Sequence, residues 1–287
     1  MNSRMVVKLW GVRGSIPSPG PATARYGGNT TCVSVEIGDA VLIFDAGSGI
    51  RNLGKELFSD PRAVVIFLTH LHWDHVQGLL FFAPLYQPGR TLAIETPDRT
   101  MTSLVPIAGA DGVHFPLTAE QILSDLRVNQ GDPIGDLAKT GIVLRRLRMN
   151  HPGLCHGFRL EYGGRVLVFI PDNEIHPPEP GPLAWNDLVA FCQGADVLIH
   201  DAQYLAEEIS SKRGWGHSTI DDACALGKAA GAKRLILFHH DPERTDGEID
   251  DILAKILPDS RGATEISAAK EGTILHLVSV GQAAGLL

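Results

Sequence analysis

One stretch constrains this chain more than any other: Leu68-Thr69-His70-Leu71-His72-Trp73-Asp74-His75-Val76-Gln77-Gly78-Leu79, which begins where an apolar run ends. Three imidazoles and a carboxylate, His70, His72, Asp74 and His75, fall within six consecutive positions. Imidazole nitrogen and carboxylate oxygen together suit zinc or a similar divalent ion. His70 and His72 can project to one side of an extended segment, while Asp74 and His75 open the following turn and can face a second ion. The bland alternative is a solvated histidine run with no ligand role. Four donors cannot close two sites, so others must come from later in the chain. Candidates follow apolar runs: His151 after 142–149, Asp172 after 166–170, and His239 or His240 after 235–238. Each alone reads as a polar residue at a strand end; together they point to one rim.

Short β-branched runs at 6–9, 32–37, 41–44, 64–68, 91–95, 142–147, 158–161, 166–170, 197–199, 235–238 and 274–278 read as strands. Between them lie helical patterns. Ile249, Ile252, Leu253, Ile256 and Leu257 share one face of a helix opened by Thr245, with Glu248 three residues on as a capping box. Another helix follows Ser218 and closes before Gly231. Strands fall into an early and a late group, each followed by helices. That order suits two packed sheets with helices outside, an α/β four-layer αββα sandwich. Residues 108–140 mix Gly and Asp with a weak helix at 119–126 and read as an insertion or lid. No linker or short repeat is visible, so residues 1–287 are expected to form a single domain.

Composition narrows the function classes. With 44% hydrophobic and 20% charged residues the chain has material for a core, which excludes disorder. The longest membrane candidate, 79–85, is short and contains Pro84, and the start of the chain lacks the apolar core of a signal peptide. A cytoplasmic address without a membrane partner is the expectation. A formal charge of −8 argues against broad binding to nucleic acid and favours small anions or esters, although a local basic groove could survive. Cys32, Cys155, Cys192 and Cys224 form no Cys-x-x-Cys pair, so they read as buried small hydrophobes rather than a disulfide framework or thiolate zinc cluster.

The His-x-His-x-Asp-His pattern of His70, His72, Asp74 and His75, with Phe44-Asp45-Ala46-Gly47 upstream, resembles the metallo-beta-lactamase-fold hydrolases. That resemblance implies that His70, His72 and His151 hold one ion, that Asp74, His75 and His239 hold the other, and that Asp172 bridges them. His239 is preferred to His240 because it directly follows the apolar run. Zinc is the first expectation, with manganese or iron as alternatives, because all three accept imidazole and carboxylate. Gly216-His217-Ser218-Thr219 and Leu198-Ile199-His200-Asp201-Ala202 are similar to the phosphodiesterase branch of that superfamily. This branch includes the tRNA 3′-end-processing ribonuclease Z, the phosphonate-pathway cyclic phosphodiesterase and cyclic-nucleotide nucleases. The resemblance places Asp201 in the acidic position beside His217 and suggests a homodimer.

Some features depart from ribonuclease Z. The opening 10–17 and 25–30 is longer and resembles the small-substrate members, no long basic Gly/Pro-rich arm is present, and Trp73 stands where the tRNA enzymes tend to have small residues. The leading expectation is therefore a dinuclear-metal phosphodiesterase acting on a small phosphodiester, with a cyclic nucleotide as first candidate. The alternative is a ribonuclease Z-like endonuclease trimming tRNA; behind it stand a carboxyl or thioester hydrolase and a metal-binding regulator without enzymatic activity.

Two cations offset the repulsion between an anionic nucleophile and an anionic ester. Asp74 is expected to orient the nucleophile and accept its proton, and His217, held by Asp201, to protonate the leaving alkoxide. A helix-entry role beside Ser218 is the alternative for His217. Arg13, Arg25 and Asn29 read either as phosphate donors or as turn-stabilising residues, and Cys155 either as a neighbour of the metals or as a buried thiol.

Overall fold

A computed structural model of the protein describes residues 4–256 and 264–279. The chain lays down β1 (Arg4–Gly11), β2 (Cys32–Ile37), β3 (Ala40–Phe44), α1 (Ile50–Leu57), β4 (Ala63–Phe67), α2 (Trp73–Val76), β5 (Thr91–Glu95), α3 (Val105–Ala108) and β6 (Asp125–Val128). It continues through α4 (Pro133–Lys139), β7 (Val143–Arg148), β8 (His156–Tyr162), β9 (Arg165–Ile170), α5 (Trp185–Cys192), β10 (Val197–Asp201), α6 (Ile220–Ala229), β11 (Arg234–Phe238), α7 (Asp246–Ile256), β12 (Glu265–Ala268) and β13 (Ile274–Val278). Seven strands pair in the order β13-β1-β2-β3-β4-β5-β6 and six in the order β12-β11-β10-β9-β8-β7.

Side-chain alternation explains the layers. In β3, Leu42 and Phe44 face the second sheet, whereas Val41 and Ile43 meet the outer helical layer with Ile50, Leu53 and Leu57 of α1. A strand covered on both faces reads as a continuous apolar run. In β11, likewise, Ile236 and Phe238 face the first sheet, and Leu235 and Leu237 pack with Ala223 and Leu226 of α6. Phe44 joins the two sheets, its ring centroid 5.2 Å from Phe158 and 5.7 Å from Phe169. The result is the expected four-layer αββα arrangement. The strands β3 to β6 run parallel, as do β9 to β12. Ligands of open α/β sheets gather at the carboxyl ends of such strands.

The expected capping box is present, with Thr245 N donating to Glu248 Oε2 at 2.7 Å and Glu248 N to Thr245 Oγ1 at 3.3 Å. Leu257, the last residue of that expected helix face, lies outside the described residues. All four cysteines are buried and unbridged. Among the described residues, no helix is long and apolar enough to cross a membrane.

One expectation needs correction, and one strand lies where no apolar run marks it. The helix at 119–126 is replaced by a short 3-10 turn, Ala119–Gln121, followed by strand β6. Its exposed Asp125 and Arg127 alternate with Leu126 and Val128, a period-two pattern that pairs with β5 and overrides weak helical propensity. The strand β12 carries no apolar run, Ile266 being its one large apolar residue; parallel pairing with β11 defines it. Thus 108–140 supplies an edge strand and α4, whose start is capped by Asp132 accepting from Gly135 N at 3.0 Å.

Candidate metal centre

The strand β4 ends beside a buried carboxylate that organises the histidine motif. Asp45, held at φ +62, accepts from Thr69 N at 2.7 Å, and its Oδ2 lies 2.8 Å from His75 Nδ1. Extended backbone at His72 then turns into the single helical turn of α2. This change of conformation brings donors from both the extended segment and the helical turn to one place, the His70 ring lying 4.4 Å from that of His72 and 4.1 Å from that of His75.

The structure brings together all seven residues that the sequence singled out. His70, His72, His151 and Asp172 form one group and Asp74, His75 and His239 another, with the candidate ligand atoms of each group within 4.8 Å of one another. Asp172 divides its carboxylate between them. Its Oδ1 lies 3.1 Å from His75 Nε2 and 3.4 Å from His239 Nε2, while its Oδ2 lies 3.6 Å from His70 Nε2 and 3.7 Å from His151 Nε2. Asp74 Oδ2 stands 3.3 Å from His75 Nε2 and 3.1 Å from His239 Nε2, and accepts from Ser15 N at 2.8 Å.

The choice between neighbouring histidines is visible in the backbone. His239 adopts φ +59, which turns its ring into the centre, whereas His240 is buried behind it with Nε2 2.9 Å from Ala269 O. Glycine makes room at two points. A Cβ on Gly14 would lie 2.4 Å from His239 Nδ1, and one on Gly216, at φ +89, would lie 2.2 Å from His151 Nδ1.

The donor set fits a pair of cations. Among the described residues, His70 Nε2, His75 Nε2 and Asp172 Oδ1 are buried without a partner in hydrogen-bonding geometry, although the last two approach to 3.1 Å, and they converge on the shared centre. Buried polar atoms are normally paired, so three orphans at one point call for a ligand. The outer ring nitrogens are anchored: His151 Nδ1 donates to Gly216 O at 2.9 Å, and His70 Nδ1 lies 3.0 Å from Thr69 Oγ1. Such contacts fix which nitrogen offers its lone pair. Burial lowers His70 well below the usual imidazole range, lowers His72, and brings His151 to about 4, which keeps all three neutral as ligation requires. Burial alone would raise Asp74, but His75 and His239 outweigh it and hold the carboxyl well below its usual range. At His75 burial acts downward, yet Asp172, Asp74 and Asp45 raise the imidazole well above normal. Three buried carboxylates thus draw positive charge to the position that a cation would occupy.

His217 borders this centre. Its Nδ1 is 2.8 Å from Asp201 Oδ2, and its ring stacks on His239 with centroids 4.9 Å apart. Burial depresses the imidazole, but Asp201, its hydrogen bond and the nearby carboxylates reverse the effect and raise it. The loop before His217 is fastened by Glu174, which accepts from Gly214 N at 2.9 Å and Gly216 N at 3.0 Å. Ser218 does serve the backbone, with Oγ donating to Asn173 O at 2.5 Å, while the helix cap proper is Thr219.

Several sequence candidates have structural jobs instead. Arg13 is fully buried and donates to the carbonyls of Gly27, Asp241 and Arg244. Arg25 pairs with Asp250, and Asn29 donates to Glu271. Cys155 is a buried thiol, its Sγ 3.8 Å from Asp172 O. Three contributors escaped sequence reasoning: Asp45, Glu174 and Ser15. The Asp45-Ala46-Gly47 turn and the Asp172-Asn173-Glu174 run offered a signal for two of them; Ser15 acts through its backbone N–H and leaves none.

Comparison with known proteins matches this architecture. Residues 41–240 match the beta-lactamase superfamily domain, and the chain belongs to that family. Within it, the similarity runs to the ribonuclease Z branch. A ribonuclease Z from Haloarcula marismortui is 25% identical over 275 residues, covering 82% of this chain and 86% of the relative. One from Limosilactobacillus fermentum is 28% identical over 251 residues, covering 70% and 77%. Among solved structures, the metallo-beta-lactamase fold protein YhfI of Bacillus subtilis superposes with a TM-score of 0.66 at 22% identity, covering 96% of this chain and all of that one. The short form of human tRNase Z gives 0.60 at 19% identity, covering 94% and 98%.

Proposed function

We propose that this protein is a metal-dependent phosphodiesterase of the ribonuclease Z type, cleaving the 3′ extension of precursor tRNA. The names of its relatives move this reading ahead of the cyclic-nucleotide substrate that the sequence alone favoured. The observation that carries phosphodiester chemistry is His217, stacked on His239 and aligned by Asp201 at the edge of the seven-residue cluster.

Two divalent ions in this cluster would relieve the charge of the phosphodiester and make water nucleophilic at neutral pH. His70, His72 and His151 would hold one, Asp74, His75 and His239 the other, with Asp172 shared. Asp74, fixed by Ser15 N, would orient the attacking oxygen. His217 would give its Nε2 proton to the leaving oxygen while Asp201 stabilises the ring, the division of labour expected of a carboxylate-supported general acid.

A second reading, hydrolysis of a small phosphodiester such as a cyclic nucleotide, is favoured by the net charge of −8 and by an apolar cleft of about 500 Å³ beside α2. The deciding experiment gives metal-loaded protein precursor tRNA, 3′,5′- and 2′,3′-cyclic nucleotides and a chromogenic phosphodiester in parallel. Cleavage of precursor tRNA at its 3′ boundary with the highest kcat/KM supports the first reading. A cyclic nucleotide leading the series replaces it with the second, and no cleavage of any phosphodiester removes both.

A further inference from the structure

The cleft beside α2 stands out from the rest of the surface. It is walled by Leu71, Trp73, Leu80, Phe81, Ile107 and Phe115, with a volume of about 500 Å³. Trp73 is 72% exposed and Phe81 55% exposed, and the Phe81 ring meets Phe115 edge-on at 5.4 Å. Large apolar side chains scattered singly over a surface need no explanation, but a concave aromatic cluster does. Part of its polar fringe is engaged: Gln77 Nε2 donates to Thr30 Oγ1 at 3.1 Å, and Asp111 Oδ2 holds His114 Nδ1 at 2.6 Å. The walls offer mainly π-faces and dispersion, with Gln77 Oε1 and His114 Nε2 as the hydrogen-bonding groups of the rim.

Its position supplies the occupant. Trp73 sits between His72 and Asp74, one from each group of the metal centre, so the indole is tied through adjacent backbone to both groups. His72 is itself exposed, which makes it the solvent-facing member of its group. Adjacent Cα atoms lie about 3.8 Å apart, so Trp73 is one backbone step from a donor of each group, a separation that a nucleotide spanning from phosphate to base can match. Aromatic stacking accepts any base because every base has a π-face.

We infer that the cleft is a nucleobase subsite, with Trp73 as its stacking platform and Phe81 and Phe115 as its far wall. This inference rests on the phosphodiesterase reading for its choice of ligand, since the phosphate must anchor what the cleft selects. It makes Trp73 a specificity residue that discriminates nucleotides from base-free phosphate esters and touches no reacting atom.

The test is equilibrium binding, which needs no turnover. Metal-loaded wild type, Trp73→Phe, Trp73→Ala and Phe81→Ala are titrated calorimetrically with adenosine 5′-monophosphate and with ribose 5-phosphate, and metal content is measured on each sample. Wild type is expected to bind the nucleotide about tenfold or more tightly than the sugar phosphate, the scale of one base stacked on an aromatic ring. Trp73→Ala should bring the two ligands to near equality by weakening only the nucleotide, whereas Trp73→Phe keeps most of the preference. Should Trp73→Ala lose metal, Phe81→Ala decides, with a severalfold loss expected for the nucleotide alone. The inference is overturned if wild type shows no preference or binds neither ligand, or if metal-loaded alanine variants keep the preference intact. Failure to cleave any phosphodiester, with base preference retained, would strike the proposed reaction and leave the subsite standing.

Discussion

Asp201 Oδ2 lies 2.8 Å from His217 Nδ1, and the same carboxylate accepts from the backbone of Asn173 at 3.1 Å and Gln203 at 3.0 Å. The acid is thus locked by main chain on one side and orients an imidazole on the other. Because the Asp201 interaction overcomes burial and raises His217, the ring carries a proton further toward neutral pH than a free histidine does. Replacing His217 with alanine should lower kcat on a phosphodiester by about 10²-fold or more, with bound metal unchanged. Elemental analysis and steady-state kinetics on the same preparation check both halves; normal turnover would remove His217 from the chemistry.

The divided carboxylate of Asp172 leads to a second expectation. Since one oxygen faces His75 and His239 and the other faces His70 and His151, Asp172→Ala should deplete both groups of metal. His239→Ala should deplete mainly the group that it shares with Asp74 and His75. His240→Ala should leave metal content untouched, because its Nε2 serves Ala269 O. Metal-to-protein ratios after dialysis distinguish the three variants. A loss on His240→Ala equal to that on His239→Ala would contradict this assignment of the adjacent pair.

Asp45 is a stability element as much as a site element. Its carboxylate is completely buried, and it accepts from Thr69 N and Thr69 Oγ1 while facing His75 Nδ1. Asp45→Ala strands those groups and puts alanine at φ +62, a left-handed conformation that Asp and Asn tolerate better. Losing one partner of a buried charged network costs about 3 kcal/mol or more. Asp45→Asn retains the backbone preference and one acceptor oxygen, so it should fall between wild type and alanine. Urea unfolding midpoints, measured with and without saturating metal, are the check.

What the sequence disclosed follows a physical divide. Strands buried on both faces, such as β3 and β11, announce themselves as apolar runs, and the ligands announce themselves because metal chemistry restricts residue type to imidazole and carboxylate. Edge elements are quieter: β6 and β12 owe their pairing to a neighbour rather than to their own composition. Supporting residues are quieter still. Asp45 and Glu174 look like any acid until the backbone brings Thr69, His75, Gly214 and Gly216 to them, and the contribution of Ser15 resides in a main-chain N–H. Substrate identity was least legible. Net charge sums over the whole chain and is weak evidence about what one site binds.

Arg13 shows how one residue type can suggest chemistry that its surroundings deny. An arginine between glycines near an anion site invites a role as phosphate donor. Its side chain, however, is fully buried and spent on Gly27 O at 3.1 Å, Asp241 O at 2.9 Å and Arg244 O at 2.7 Å. Those carbonyls belong to the opening loop and the turn after His240, and Gly14 N adds a bond to His240 O at 2.9 Å. The guanidinium therefore stitches the segment carrying Ser15 to the segment carrying His239. Arg13→Met fills much of the volume but strands the buried Gly27 O and removes a donor from the part-buried Arg244 O, while Asp241 O keeps Arg244 N at 3.0 Å. A stranded buried acceptor costs about 1–3 kcal/mol, so the unfolding midpoint should fall. Arg13→Lys recovers part of that loss, since one ammonium cannot span the fork. A phosphate-gripping arginine would give the opposite pattern, a raised KM with stability unchanged, and kinetics paired with unfolding curves on Arg13→Lys separate the two.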